Sequence, residues 1–320
     1  MADVLYVPPD NDDTLGTLID AEGNILLQEV FDTCESGTSL SSGRVIILRE
    51  DTADPDFDVE AIKIYDANRT LIATDTSLVI PDFWHLSPVA RYGPNKFLVA
   101  QVDETQTNNT IVRVISDSGV VGPESWELAP ANGFGGRATR IMGVSPDLTT
   151  LYYGPDGSTA AEIYRWDLVG DLELSSLYSP AGTTRLGDDL LVLSDGTIIV
   201  SWREVAAVAQ WQLRGFDPSG TVLFAYNFDH TESPRLALSS DEQSVWSMAG
   251  TATQNLFRQT SITDGSVLTT FNLDNQIIDS AGPSDGCPLI LFDSVLLSIF
   301  SNRNWQLLRF DAALREEETP

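Results

Sequence analysis

The sequence predicts an all-β fold made of one repeated unit, and three observations lead there. Short runs rich in Val, Ile, Leu, Tyr and Trp alternate with Asp-Gly, Ser-Gly, Pro-Asp and Asn clusters, a pattern of strands and tight turns rather than of amphipathic helices. An apolar or aromatic run that ends in Asp and a turn occurs seven times, at Asp20, Asp66, Asp117, Asp167, Asp217, Asp264 and Asp311, spaced 46 to 51 residues apart. A further apolar run precedes each of these motifs. One period reads strand, turn, strand, loop, strand, Asp turn, strand. Four antiparallel strands in roughly 45–50 residues make a β-propeller blade. The expected architecture is a seven-bladed β-propeller of four-stranded blades, with six blades as the alternative.

Each element of the period has its reason. The strands that precede the motifs fall at residues 4–7, 45–48, 97–102, 151–153, 198–202, 245–248 and 295–300. Several follow a turn such as Ser145-Pro146-Asp147, Ser194-Asp195-Gly196 or Ser239-Ser240-Asp241. At the marker itself, an Asp side chain accepts from backbone amides two residues on, and a following Gly supplies the positive φ of a tight hairpin. The seven aspartates are therefore read as structural hairpin pins and not as a ring of catalytic carboxylates. After the turn a fourth strand follows, as at residues 221–226 and 266–271. The chain opens on what reads as a second strand and ends soon after Asp311. Residues 1–320 are thus expected to form a single domain whose N- and C-terminal segments close the ring and remove exposed edges.

Charge narrows the partners. The chain carries 47 acidic and 18 basic residues, a net charge of -29, which repels phosphate backbones and disfavours nucleic acid and anionic membranes. Only Lys63 and Lys96 are lysines, and the other basic residues are arginine. An Asp-rich, Lys-poor surface suits a saline host, where salt screens self-repulsion; GC-rich coding bias gives the same balance. Cys34 and Cys287 make no disulfide framework and are read as buried free thiols. The N-terminus has no basic n-region and no apolar h-region, so no signal peptide is expected, and the apolar runs are too short to span a bilayer.

The stretches Ile141-Met-Gly-Val-Ser-Pro-Asp, Leu151-Tyr-Tyr-Gly and Glu162-Ile-Tyr-Arg-Trp-Asp-Leu are similar to propellers of the YVTN and NHL type. So are Asp188-Asp-Leu-Leu-Val-Leu-Ser-Asp-Gly-Thr-Ile-Ile-Val and Leu236-Ala-Leu-Ser-Ser-Asp-Glu-Gln-Ser-Val-Trp. The resemblance is clearest over residues 140–275. It implies a propeller of the kind found in secreted bacterial proteins and in virion proteins of tailed bacteriophages. With no signal peptide, it implies a virion component assembled in the host cytoplasm, in a decoration, appendage or tail-associated role. The partners it implies are other virion or scaffold proteins or a host surface glycan. Fold class specifies such a role poorly, because propellers serve binding, scaffolding and catalysis alike.

Metal binding and acid–base work require clustered His, Cys, Asp or Glu. His85 and His230 are the only histidines and each sits beside turn residues, which disfavours a zinc-type site. No Gly-x-Ser-x-Gly elbow accompanies them. Asp10, Asp12 and Asp13 cluster, and Asp54, Asp56 and Asp58 alternate on one face with Glu60 if extended. Their carboxylates are the weak Ca²⁺ candidates. Val59 stands where a loop starting at Asp54 needs its turning glycine, so a solvated acidic loop is the plainer reading. Gly133-Phe-Gly-Gly136 lacks the strand-to-helix setting of a phosphate cradle. Seven tryptophans are spread through the blades, where packing is the default and an exposed one would stack on carbohydrate. The expectation is a non-enzymatic structural or interaction module with no cofactor, binding through a propeller face or the 51–60 and 104–110 loops. The alternatives are a Ca²⁺-dependent hydrolase of sugar-lactonase type and a carbohydrate-binding adhesin.

Overall fold

The computed structural model describes residues 89–272 with most of their side chains, apart from Ser240 and the connections 104–108, 129–138, 156–161, 179–183, 205–210, 228–233 and 251–254; elsewhere it describes strands, with the side chains of Ile62, Ile64 and residues 71–73. The described secondary structure is all strand. No helix among the described residues is long and apolar enough to cross a membrane.

Four antiparallel sheets of four strands follow one another through the best-described stretch. The first contains β8 (Val89–Arg91), β9 (Lys96–Asp103), β10 (Asn109–Ser116) and β11 (Val121–Leu128). The next has β12 (Thr139–Val144), β13 (Thr150–Pro155), β14 (Tyr164–Asp167) and β15 (Leu172–Glu173). Then come β16 (Thr184–Val192), β17 (Ile198–Glu204), β18 (Trp211–Phe216) and β19 (Val222–Asn227). The fourth is β20 (Arg235–Leu238), β21 (Ser244–Gly250), β22 (Asn255–Ser261) and β23 (Val267–Asn272). Upstream, β4 (Ser36–Ser39), β5 (Val45–Asp51), β6 (Val59–Tyr65) and β7 (Leu71–Asp75) form one sheet, and β1 (Val4–Val7), β2 (Leu15–Asp20) and β3 (Ile25–Val30) a three-stranded one. Downstream lies the three-stranded sheet β24 (Leu289–Phe292), β25 (Val295–Ile299), β26 (Trp305–Arg309).

The core lies between the sheets. Alternation sends successive side chains of a strand to opposite faces, and each face meets a neighbouring blade. Leu98, Ala100, Val112 and Trp126 pack on Met142, Leu151, Tyr153 and Trp166. Ile141, Tyr152 and Ile163, on the other face of that second blade, pack on Leu190, Val200, Trp202 and Phe216. Ile199, Trp211 and Leu213 then meet Leu236 and Val245. Sheets that share faces in this serial way are the blades of a propeller.

The expectation of seven four-stranded blades needs correction. Four complete blades, β8–β11 to β20–β23, are described with the packing between them, and the two end sheets have three strands each. Among the described strands, the innermost neighbours follow the order β4, β8, β12, β16, β20 and β24, and β24 adjoins β4 again. Sheet β1–β3 supplies no strand to that succession; its β1 lies beside β26. The Asp marker counts hairpins, and a hairpin need not own a sector of the ring. Asp20, which ends β2, is such a hairpin, so counting markers overcounts blades.

Within a blade, the turn between first and second strands and the turn between third and fourth lie side by side. Backbone amides tie them: Asp117 N donates to Asn95 O at 2.8 Å, Leu168 N to Thr149 O at 2.8 Å and Ile262 N to Gln243 O at 3.0 Å. These tight turns therefore sit on one face of the propeller.

Candidate functional site: the rim of the tight-turn face

The third-to-fourth-strand hairpins show how an Asp organises this rim. Asp217 Oδ1 accepts from Ser219 N and Thr221 N, each at 2.9 Å, and from Ser219 Oγ at 2.6 Å. Asp264 Oδ1 accepts from Ser266 N at 3.0 Å and Ser266 Oγ at 2.7 Å. Asp167 Oδ1 accepts from Val169 N and Gly170 N at 2.9 Å. At the Asp117 hairpin, the Ser116 hydroxyl oxygen accepts from Val120 N at 3.0 Å. Asp20 is placed by its strand alone, and Asp66 and Asp311 lie outside the described residues. A one-residue register shift at Gly215/Phe216 and at Gln259/Thr260 accompanies Gly220 (φ 92°) and Gly265 (φ 71°), the geometry of a turn closed by a left-handed bulge residue.

The first-to-second-strand turns repeat the device. Asp147 Oδ1 accepts from Ser145 Oγ at 2.6 Å and Thr149 N at 3.1 Å, and Asp241 Oδ1 from Ser239 Oγ at 2.6 Å and Gln243 N at 3.0 Å. Hydrogen bonds donated to the charged form favour it. The hydroxyls of Ser145, Ser219, Ser239 and Ser266, with neighbouring amides, accordingly hold Asp147, Asp217, Asp241 and Asp264 below the ordinary carboxylate range. These hydrogen bonds favour the charged carboxylates of this face.

The same rim locks the blades together. Trp126 Nε1, on outer strand β11, donates to Leu168 O in the next blade's hairpin at 3.0 Å. Tyr226 OH, on outer strand β19, donates to Ile262 O at 3.1 Å. Gly220 fits under Leu177 O so closely that a Cβ would stand 2.0 Å from it.

Immediately after these hairpins the outer strands expose apolar side chains that the sequence reading missed. Leu71 and Ile72, Val120, Val169 and Leu172, Val222 and Leu223, and Val267 and Leu268 are 38 to 78% exposed. Each group stands at the tight-turn end of its blade's fourth strand, with Val120 and Val169 in the turn itself. The signal was present: two adjacent apolar residues break the strict alternation of a half-buried strand, and one of them must face water. Interspersed with the pinned carboxylates, they make a rim of alternating apolar and acidic character.

The remaining sequence candidates divide between residues outside the described part of the chain and the core. Asp54, Asp56 and Asp58 lie outside the described residues, as do Asp10, Asp12, Asp13, His85, His230, Cys34, Cys287, residues 133–136 and most of the 51–60 and 104–110 loops. Among the described residues, no three His, Cys, Asp or Glu side chains come together to hold a metal. The five tryptophans with described side chains, Trp126, Trp166, Trp202, Trp211 and Trp246, are all buried, which leaves none of them a surface for a sugar ring.

No family model matches the sequence, and no curated protein matches it. Solved structures do resemble it. Hydrazine synthase of Kuenenia stuttgartiensis superposes with a TM-score of 0.59 at 13% identity, covering 96% of this chain and 92% of that one. TolB from Acinetobacter baumannii gives 0.54 at 17% identity over 85% of this chain, which spans 62% of the TolB chain. The β-propeller domain of Cps50 (Swd1) from Myceliophteria thermophila gives 0.53 at 7% identity, covering 97% of this chain and all of that domain. Their diverse names and low identities establish the fold and nothing finer: the chain is an all-β propeller.

Proposed function

We propose that this chain is a non-enzymatic interaction module that docks a protein partner through the rim of its tight-turn face. The observation that carries the reading is the recurrence of exposed apolar side chains at the same end of the fourth strand in five sheets. Scattered surface apolar residues are ordinary, but a repeated set at one structural position is what a partner-facing surface needs. Each Leu, Ile or Val fully covered by a partner contributes roughly 1.5–3 kcal/mol before the costs of association. Hydrogen-bonded carboxylates between these groups select a partner with basic groups around its own apolar contacts, in keeping with a net charge of -29. The same charge disfavours nucleic acid and anionic membranes.

The setting proposed is a tailed-phage virion, with the chain as a decoration, appendage or tail-associated subunit assembled in the host cytoplasm. Its support is the resemblance to YVTN and NHL propellers over residues 140–275. Quantitative mass spectrometry of purified phage particles, with cross-linking, tests it. The expected result is a fixed copy number and cross-links from the tight-turn face to one neighbouring virion protein. Absence from particles, together with lactone hydrolysis by the purified chain, would overturn it.

A further inference from the structure

Among the described strands, β3, β7, β11, β15, β19 and β23 stand outermost in their sheets, each hydrogen-bonded to a neighbour on one side alone. Such an edge offers a row of unpaired N–H and C=O groups, and native chains blunt it with short length, proline or charge. Four of these edges are blunted. β11 carries Pro123, Glu124 and Glu127, β15 is two residues long, β7 ends in Asp75 and β3 carries Glu29. β19 (Val-Leu-Phe-Ala-Tyr-Asn) and β23 (Val-Leu-Thr-Thr-Phe-Asn) have six residues each and no charge, glycine or proline. In a chain with 47 acidic residues, the uncharged run around β19 spans residues 218–228, between Asp217 and Asp229. That around β23 spans residues 265–273, between Asp264 and Asp274.

Of the two, β19 is the edge whose position the structure fixes best. Its Phe224 and Tyr226 rings stack with centroids 4.9 Å apart and pack on the cluster shared with blade β20–β23. There Tyr226 OH donates to Ile262 O. A Cβ on Gly215 would stand 2.3 Å from the Phe224 ring and one on Gly265 2.3 Å from that of Tyr226, so each ring fills the space a side chain would take. One face of the strand is thereby anchored, while Leu223, Ala225 and Asn227 on the opposite face are exposed. A strand already ordered loses little freedom when another pairs with it.

We propose that the free edge of β19 receives an extended segment of a partner protein as a fifth strand of blade β16–β19, a segment apolar or β-branched at its centre and basic at its ends. Main-chain hydrogen bonds supply the pairing. The uncharged centre matches β19, and the basic ends match the aspartates that bound its run in the sequence. A second copy of this chain is the poorer occupant, since self-pairing sets aspartate-bounded ends against each other at a net charge of -29. The proposal rests on the rim docking put forward above and states how the partner engages that rim.

The test uses the full chain and a fluorescein-labelled peptide of alternating valine and threonine with a lysine at each end, followed by fluorescence anisotropy and amide hydrogen exchange. The expected result is saturable one-site binding that slows exchange of β19 amides. N-methylation of alternate peptide bonds removes the ladder donors and weakens binding tenfold or more, as does replacing the terminal lysines by glutamate. Ala225→Lys sets a charge on the uncharged edge and also weakens binding tenfold or more. Should that variant fold poorly, the methylated peptide and the exchange pattern of the parent carry the comparison. Absence of saturable binding, equal binding by the methylated peptide, or protection confined to regions outside β19 overturns the proposal. Self-association of the parent that Ala225→Lys abolishes also overturns it, by assigning the edge to a second copy. Val169→Asp, in another blade's turn, should leave peptide binding unchanged while reducing rim docking. Normal docking by that variant counts against the rim alone, and a peptide that fails to bind while the variant docks poorly counts against the strand addition alone.

Discussion

Blade β16–β19 shows two neighbours the same arrangement and resolves it differently on each side. Toward blade β12–β15, Arg214 stands 5.1 Å above the Trp202 ring, and its guanidinium donates to Gln212 Oε1 at 2.9 Å and to Tyr178 OH at 3.5 Å. Tyr178, Trp202 and Phe216 close round it, with Tyr178 and Phe216 centroids 4.8 Å apart. Toward blade β20–β23, Arg203 stands over Trp211 with no acceptor for its Nε, and Arg258 faces the same junction in the same condition. The two arginines thus differ in their partners: the Arg214 guanidinium is hydrogen-bonded on one face, whereas Arg203 Nε has no acceptor on the other, and the indole N–H groups of Trp202 and Trp211 are alike in having none. Ring packing and two hydrogen bonds fix the Arg214 guanidinium; stacking on Trp211 alone is recorded for that of Arg203.

The sharpest way to break the comparison is to remove the finished joint. Trp202 is fully buried among Tyr178, Phe216 and the aliphatic side chains of two blades. Trp202→Ala should cost about 3–5 kcal/mol in denaturant unfolding. Next in size is the rim contact that holds these blades in place. A Cβ at Gly220 would stand 2.0 Å from Leu177 O at a φ of 92°, so Gly220→Ala should cost about 2 kcal/mol or more, with a lower midpoint and an unchanged m-value.

An arginine with partners and one whose Nε lacks them should then respond differently. Arg214→Met gives up two hydrogen bonds and should destabilise by about 1 kcal/mol. Arg258→Met removes a half-buried guanidinium whose Nε has no acceptor and should be neutral or stabilise by up to about 1 kcal/mol. If both variants lose stability equally, the two junctions are equivalent and the contrast fails.

The smallest effect is with pH, and it concerns the rim common to both junctions. Asp147, Asp217, Asp241 and Asp264 have pKa values depressed by hydrogen bonds in the folded chain. A depressed carboxylate adds stability that is fully present above its unfolded value of about 4 and is lost as pH falls through the folded value. The urea midpoint should therefore hold level above pH about 5 and decline below about 4, and Asp217→Asn with Asp264→Asn should flatten that decline.

The sequence carried the parts of this molecule that are set locally. Asp217 and Asp264 speak to amides two to four residues away, so turn chemistry exposes them without any knowledge of the ring. The blade count is set elsewhere, by β24 meeting β4 and by β1 lying beside β26, contacts between opposite ends of the chain that no local pattern encodes. Hence hairpins could be recognised and sectors miscounted. The apolar rim was legible in principle, since Val222-Leu223 and Val267-Leu268 break alternation just after the turn. The Arg203–Trp211 stack was not, because the two residues come together only once β17 and β18 pair in register.

Docking through the tight-turn rim is the claim on which the functional reading stands, and incorporation into particles measures it most directly. Val169→Asp and Leu223→Asp place charge on exposed positions that no neighbouring blade covers, so the fold should survive and circular dichroism should match the parent. On the virion setting proposed above, a competition between parent and double variant during particle assembly, read by mass spectrometry of the purified particles, should find the parent and largely exclude the variant. Equal incorporation of both chains would contradict the rim as the docking surface.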